Sequence, residues 1–159
     1  MAEHIATIVW TNAVPAADFA KGRYSREHTW SFDGGATVAG SSSPSVVPLP
    51  WSSAAAVDPE EAFVASAASC HMLSFLYVAM KRGFVVTSYR DRAAGVMTKG
   101  ANGVPWISKI TLDPQIEYAG TSPTDAELAE LHERAHHECF IANSVKTEIV
   151  VSSRHSREP

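Results

Sequence analysis

A long apolar segment introduced by a strong helix-start signal constrains the fold more than any other feature. Asp58 can cap a helix, Pro59 suits its first position, and two glutamates follow in the first turn. The apolar stretch from Ala62 to Met80 comes next, and Gly83 is expected to end the helix. A helix of this length that is apolar on most sides must lie in a protein core or in a membrane.

Polar residues inside the apolar stretch decide between these two environments. The stretch contains Ser66, Ser69, His71 and Ser74, and many of its other residues are small alanines. This pattern favours the buried central helix of a soluble protein, so no membrane partner is expected. The opening residues, MAEHIATIVW, lack the charged and then apolar regions of a signal peptide, which predicts a cytoplasmic protein.

The composition is that of an ordinary globular domain. The chain has 159 residues, of which 45% are hydrophobic and 19% charged. We therefore predict one domain over residues 1–159, with a disordered tail at about 153–159. The formal net charge of −4 argues against a nucleic-acid partner, because binding to phosphates requires a basic face. No glycine-rich phosphate loop precedes a helix, and no cofactor is expected.

Strands are predicted before the central helix from alternation and turn signals. Residues 4–10 alternate and are rich in β-branched side chains, and residues 28–40 form two short strands around Asp33-Gly34-Gly35. The serine- and proline-rich segment 41–53 cannot join the middle of a sheet. It is expected to be a long loop, either a lid or a simple connector.

Strands are also predicted after the central helix, within residues 84–98, 106–118 and 145–153. A second helix is expected between the last two of these segments, within residues 122–140. Strands, helix, strands, helix and strand in this order predict an α+β fold with antiparallel pairing.

The two cysteines are the first candidates for chemistry. Cys70 lies ten residues after Glu60, so both share one face of the helix at about 15 Å along its axis. Cys70 alone would usually be an inert buried thiol. Cys139, at the end of the second helix, offers a partner if the two meet in space. Two such thiols permit a redox cycle through a sulfenic acid and a disulfide.

Histidines near Cys139 suggest a rival interpretation. His132 and His136 are four residues apart on a helix, and His137 follows them. Together with Cys139 they are similar to a partial zinc site, because imidazole and thiolate suit zinc. The HExxH order of zinc proteases is absent, and such a pair also occurs by chance on a solvated face.

The stretch DPEEAFVASAASCHMLSFL, residues 58–76, resembles the central-helix signature of the OsmC/Ohr family of thiol-dependent hydroperoxide reductases. The stretch HHECFIANSVKTEI, residues 136–149, is similar to the segment around the second family cysteine. The resemblance implies antiparallel sheets packed around a long central helix. It also implies an intertwined homodimer with active sites at the subunit interface.

The resemblance further assigns residues to roles. It implies that Cys70 attacks the peroxide, that Cys139 resolves the product, and that Glu60 pairs with an arginine from the N-terminal region. Arg23 and Arg26 both qualify, and Arg26 is favoured because YSREHTW is the better-formed segment.

The implied function is reduction of organic hydroperoxides to alcohols through a Cys70 sulfenic acid and a Cys70–Cys139 disulfide. The implied partners are a small hydroperoxide and a thiol or dithiol reductant. Phe140 stands where many members carry proline, and His71 and the loop 41–53 also depart from the common pattern. The alternative is a non-catalytic OsmC-like binding module, either without a metal or with one held through His132, His136 and Cys139.

Overall fold

The computed structural model describes residues 2–152, so the predicted disordered tail at 153–159 lies outside the described residues. The chain forms two compact units, Met1–Ala62 and Phe63–Pro159. The single domain over residues 1–159 stays a prediction.

The first unit contains a three-stranded antiparallel sheet. Its strands lie in the order β1-β2-β3 and pair Ile8 with Trp30 and Trp30 with Val38. Gly35 has a φ of +86°, a left-handed conformation that suits glycine in the turn between the second and third strands. The strands are β1 (Ala6–Val9), β2 (His28–Phe32) and β3 (Thr37–Gly40), and a short helix α1 (Ala16–Phe19) lies between the first two. The three predicted strands are confirmed, whereas α1 has no counterpart among the predictions.

The central helix α2 (Pro59–Lys81) begins and ends where its sequence predicts. The Asp58 carboxylate accepts a hydrogen bond of 2.7 Å from the backbone N–H of Glu61. The Glu61 carboxylate in turn accepts one of 3.2 Å from the N–H of Asp58, so each residue caps the other. Gly83 follows the helix with a φ of +82°, which ends it in a left-handed turn.

The second unit contains the remaining strands and the second long helix. These elements are β4 (Val85–Asp91), β5 (Ala94–Lys99), β6 (Pro105–Leu112), β7 (Pro114–Ala119), α3 (Asp125–Glu138), a 3-10 helix (Ala142–Ser144) and β8 (Glu148–Val151). The strand β4 pairs antiparallel with β7, and β5 pairs antiparallel with β6. These findings confirm the α+β fold with antiparallel sheets.

Two details of the sheets differ from the predicted strands. Segments 84–98 and 106–118 each break into two strands, and the backbone N–H of Asp113 donates 2.7 Å to the Asp91 carboxylate at this corner. The strand β8 pairs parallel with β6. Parallel pairing needs a long crossover, which β7, α3 and the 3-10 helix supply together.

Within the second unit α2 packs against two apolar clusters. Phe75, Val78 and Ala79 pack with Leu131 and Ala135 of α3. The other cluster contains Ala67 of α2 with Ile110, Leu112 and Ile149 of the sheet β5-β6-β8. A Cβ at Gly95 would lie 2.6 Å from a methyl group of Val64, so only glycine allows this close approach of the helix.

Among the described helices, α2 alone is long and apolar enough to cross a membrane by length and composition. That measure is weak evidence, because the core helix of a soluble protein meets it as well. Several large side chains on one side of α2 are exposed, namely Leu73, Tyr77 and Met80. These positions follow the helical repeat, so they form one apolar stripe.

Candidate active site

The second unit brings the two cysteines together. Cys70 lies half-buried in the middle of α2, and Cys139 lies at the C-cap of α3 with an exposed fraction of 1%. Their thiols lie close enough to interact with each other, and both are free rather than joined in a disulfide. Only the fold could show this contact, because the cysteines belong to different helices.

Backbone N–H groups from the turn after α3 point at both sulfur atoms. The N–H of Ile141 donates to Sγ of Cys70 at 3.4 Å, and the N–H of Ala142 donates to Sγ of Cys139 at 3.4 Å. Hydrogen bonds of this kind favour a charged sulfur over a neutral thiol. The sequence analysis did not identify this turn as part of the site. Asn143 was the available signal, because asparagine is common in turns, where its side chain hydrogen-bonds to the backbone.

The environment of Cys139 keeps its thiol protonated. Burial, followed by the hydrogen bond with Cys70, raises the pKa of Cys139 to about 11. The N–H groups of Ala142 and Ile141 act in the opposite direction. Near neutral pH Cys139 is therefore a neutral thiol, which can donate its hydrogen to the sulfur of Cys70.

An open groove of about 870 Å³ lies beside Cys70. Its apolar walls come from Leu73 and Tyr77 of α2 and from Phe140 and Ile141 of the turn. Phe140 is 82% exposed, so an aromatic ring stands at the edge of this groove. The polar lining residues are Ser66, Ser69, Ser74, His137, Glu138 and Asn143. A small molecule with an apolar body could therefore lie next to the thiol.

His71 points into the core of the second unit. It is 1% exposed, and its Nε2 lies 3.0 Å from Nδ1 of His132, where one nitrogen donates to the other. The two rings are stacked with centroids 5.3 Å apart, and Phe75 packs 4.6 Å from the His132 ring. Burial, with a smaller effect of the His136 charge, lowers the pKa of His71 to about 4. His71 is therefore neutral near pH 7 and joins α2 to α3.

The buried His71 should make stability depend on pH. The unfolded chain binds a proton at this histidine below its ordinary pKa of 6.5, whereas the folded chain does so only near pH 4. The free energy of unfolding should therefore fall as pH drops from about 6.5 to about 4, by about 3 kcal/mol from this group. Urea denaturation over this pH range measures the effect.

Two variants isolate the contribution of His71. His71→Gln should show a shallower loss of stability between these pH values than the unaltered protein. His4→Gln, at an exposed position, should keep the full loss. Equal slopes for His71→Gln and the unaltered protein would mean that the buried ring is not the titrating group.

The proposed metal ligands are engaged with other side chains. His132 is hydrogen-bonded to His71, and the Cys139 thiol interacts with Cys70 and accepts a hydrogen bond from the N–H of Ala142. Within residues 2–152, no three histidine, cysteine or acidic side chains are grouped so that they could hold a metal ion. The spacing of His132, His136 and Cys139 in the sequence had suggested a shared metal site. In the structure His132 and Cys139 contact different residues instead.

We expect the purified protein to contain no stoichiometric zinc. A chelator should then leave its melting temperature unchanged, because no metal contributes to the free energy of folding. Elemental analysis and thermal denaturation with and without the chelator provide the measurement. One tightly held equivalent of zinc, with a chelator-sensitive melting temperature, would restore the metal-binding interpretation.

In the first unit the two candidate arginines differ in environment. Arg23 forms an exposed ion pair with Asp18. The Arg26 guanidinium is part-buried, donates to the carbonyls of Gly22 and Tyr24, and lies 3.6 Å above the Tyr24 ring. These contacts hold the Arg26 side chain in one position, whereas Arg23 is occupied at the surface.

Arg26 and Glu60 border one cavity of about 450 Å³ in the first unit. Its aromatic walls are Trp10, Phe19 and Tyr24. Among residues 2–152 no ion pair within 4.0 Å joins Arg26 to Glu60. The direct pair between them therefore stays a prediction.

Comparison with known proteins gives a family match and a close structural relative. The family model for OsmC-like protein matches residues 52–154. An OsmC-like protein of unknown function from Vibrio cholerae is 48% identical, with a TM-score of 0.89 over 96% of this chain and 99% of that chain. No match was found among curated protein sequences.

Two more distant structures share the fold. An organic hydroperoxide resistance protein from Elizabethkingia anophelis is 17% identical, with a TM-score of 0.70 over 97% of this chain and 98% of that chain. The organic hydroperoxide resistance protein OhrB of Bacillus subtilis is 16% identical, with a TM-score of 0.57 over 93% and 98%. At these identities the likeness shows the fold alone.

Proposed function

Because the chain belongs to the OsmC-like protein family, we propose that it is a thiol-dependent peroxidase that reduces organic hydroperoxides to alcohols. The observation that carries this proposal is the contact between two free thiols beside an apolar groove. The family contains proteins named for organic hydroperoxide resistance, which supports the same class of substrate.

Cys70 is the thiol that attacks the peroxide. It is the more accessible of the two cysteines and borders the groove, whereas Cys139 is buried and protonated. The Cys70 thiolate attacks the distal oxygen of the hydroperoxide, and the O–O bond breaks as the S–O bond forms. The alkoxide leaves and takes a proton to become the alcohol. Cys70 is then a sulfenic acid.

Cys139 resolves this product. Its sulfur attacks the sulfur of the Cys70 sulfenic acid, the S–O bond breaks, and hydroxide leaves with the Cys139 proton as water. The result is a Cys70–Cys139 disulfide. An external dithiol then reduces this disulfide by two thiol exchange steps and becomes oxidised itself. The interaction between the two neighbouring thiols supports this step, because little movement is needed to join them.

The groove suits an organic peroxide better than hydrogen peroxide. Leu73, Tyr77 and Phe140 offer apolar surface near the Cys70 thiol, and burial of an alkyl or aryl group against them favours binding. Hydrogen peroxide has no apolar group and gains nothing from these contacts.

Arg26 and Glu60 are assigned by the family resemblance. A guanidinium stabilises a nearby thiolate and can bind a peroxide oxygen, and a carboxylate can orient the guanidinium. Arg26 is preferred over Arg23 because it borders a cavity and Arg23 is paired with Asp18.

We also propose a cytoplasmic homodimer. The exposed apolar stripe Leu73, Tyr77 and Met80 on α2 supports a dimer, since exposed apolar patches commonly mark surfaces where proteins associate. A reducing compartment would keep both cysteines available as thiols.

Steady-state consumption of peroxide tests the proposed function. The purified protein should consume tert-butyl and cumene hydroperoxide with dithiothreitol as reductant, and should consume hydrogen peroxide much more slowly. Failure to consume any of the three, with both thiols reduced at the start, would favour a non-catalytic binding module.

A further inference from the structure

Two side chains hold the turn after α3: the Ser144 hydroxyl donates to the carbonyl of Phe140 at 2.7 Å, and Asn143 makes two further hydrogen bonds. The Asn143 amide nitrogen donates to the carbonyl of His137 at 2.9 Å and to the carbonyl of Cys139 at 2.9 Å. The backbone N–H of Asn143 also donates to the Cys139 carbonyl, at 3.1 Å. The last carbonyl groups of a helix have no hydrogen-bond donor within the helix. The Asn143 side chain supplies donors to two such carbonyls at the end of α3.

This closed turn determines where two backbone N–H groups point. Ile141 and Ala142 lie between Cys139 and Asn143 in the chain, so their orientation depends on how the turn closes. Their N–H groups donate to the sulfur atoms of Cys70 and Cys139 at 3.4 Å each. The side chain of Asn143 gives the Cys139 carbonyl a second hydrogen bond beside the one from its own backbone N–H, and it also ties the turn to the carbonyl of His137.

We infer that Asn143 is a positioning residue that aims the N–H groups of Ile141 and Ala142 at the two sulfur atoms and so favours their thiolates. The inference deepens the proposed peroxidase function and rests on it for its place in a reaction. Asn143 acts through the backbone and is assigned no contact with the peroxide.

The chemistry of the amide explains why asparagine suits this position. An asparagine side chain offers two N–H donors on one nitrogen, and both meet carbonyl acceptors here. Aspartate has nearly the same shape, but its ionised carboxylate only accepts hydrogen bonds and would repel the carbonyl oxygens. The exchange Asn143→Asp therefore removes the donors while the volume of the side chain is kept.

Alkylation of the reduced protein by iodoacetamide tests this role without any peroxide. Peptide mass spectrometry reads each cysteine separately, because Cys70 and Cys139 lie on different tryptic peptides. Near neutral pH, Asn143→Asp and Asn143→Ala should both slow alkylation of Cys70 by roughly tenfold, since a hydrogen bond to a charged group is lost.

Two further variants control the test. Asn143→Gln keeps the amide on a longer side chain and should restore part of the rate. Asn102→Asp introduces the same charge in another turn, where the Asn102 side chain only accepts a hydrogen bond, from Val104. This control should alkylate at the rate of the unaltered protein, and thermal denaturation should show that all variants fold.

The possible outcomes separate this inference from the proposed function. Unchanged alkylation in folded Asn143→Asp and Asn143→Ala would overturn the positioning role, even if the unaltered protein consumes peroxide. If only Asn143→Asp is alkylated slowly, the positioning role would also be overturned. The added negative charge, and not the lost hydrogen bonds, would then explain the slower alkylation of Cys70. Slow alkylation in both variants supports it, even if the unaltered protein consumes no peroxide.

Discussion

Cys70→Ser should abolish the consumption of organic hydroperoxide, with a fall in turnover of roughly a thousandfold or more. A serine hydroxyl stays protonated near neutral pH and is a poor nucleophile toward an O–O bond. Steady-state consumption of cumene hydroperoxide with dithiothreitol measures the change. Normal turnover by Cys70→Ser would show that another residue attacks the peroxide.

The matched variant Cys139→Ser should behave differently. It should react once with one equivalent of peroxide, because the attacking thiol is still present. No second thiol then condenses with the sulfenic acid, so excess peroxide should oxidise Cys70 further to a sulfinic acid. Intact-protein mass spectrometry should show the addition of one oxygen atom and then of a second. A variant that forms neither product would not fit the assigned roles.

Arg26→Ala should give the second large loss, a decrease of roughly tenfold to a hundredfold in the rate of sulfenic acid formation. In the proposed function the guanidinium stabilises the Cys70 thiolate and donates to the peroxide oxygen, and this variant would remove both effects. The rate should be followed in Cys139→Ser, where the sulfenic acid accumulates, and over a range of pH.

Two variants serve as controls for Arg26. Glu60→Ala should cause a smaller loss, because the arginine is freed but still present. Arg23→Ala should have little effect, because its guanidinium pairs with Asp18 at the surface. If Arg23→Ala is the slow variant, the choice of Arg26 is wrong. His71 is a poor substitute for either arginine, because it is neutral near pH 7 and bonds to His132.

The helix boundaries could be predicted because they depend on local interactions. Asp58 and Glu61 cap one another at the start of α2, and Gly83 ends the helix in a left-handed turn. Thr124 and Glu127 form the same kind of reciprocal cap at the start of α3. Each of these signals lies within a few residues of the boundary that it determines.

The arrangement of the strands in the second unit could be predicted only in part. Alternation identified the strand residues, but the break of segment 84–98 depends on pairing with two different strands. The contact between Asp91 and Asp113 lies across that corner. The parallel partner of β8 likewise depends on how α3 packs, and no local pattern in the last strand specifies it.

The residues of the candidate site could be identified from the sequence, but the contacts between them could not. Residue type and family resemblance single out Cys70 and Cys139, but their contact is a result of packing between α2 and α3. His71 follows Cys70 in the chain and still points into the core, because neighbouring helix positions face different directions. The hydrogen bonds of Asn143 became apparent only from the structure, since they depend on the path of the turn.

One equivalent of cumene hydroperoxide, followed by thiol titration and non-reducing peptide mapping, tests the central claim most directly. The account predicts that both thiols disappear together, that the peptides of Cys70 and Cys139 become joined, and that dithiothreitol restores both thiols. Unconsumed peroxide with two thiols that can still be titrated would contradict it.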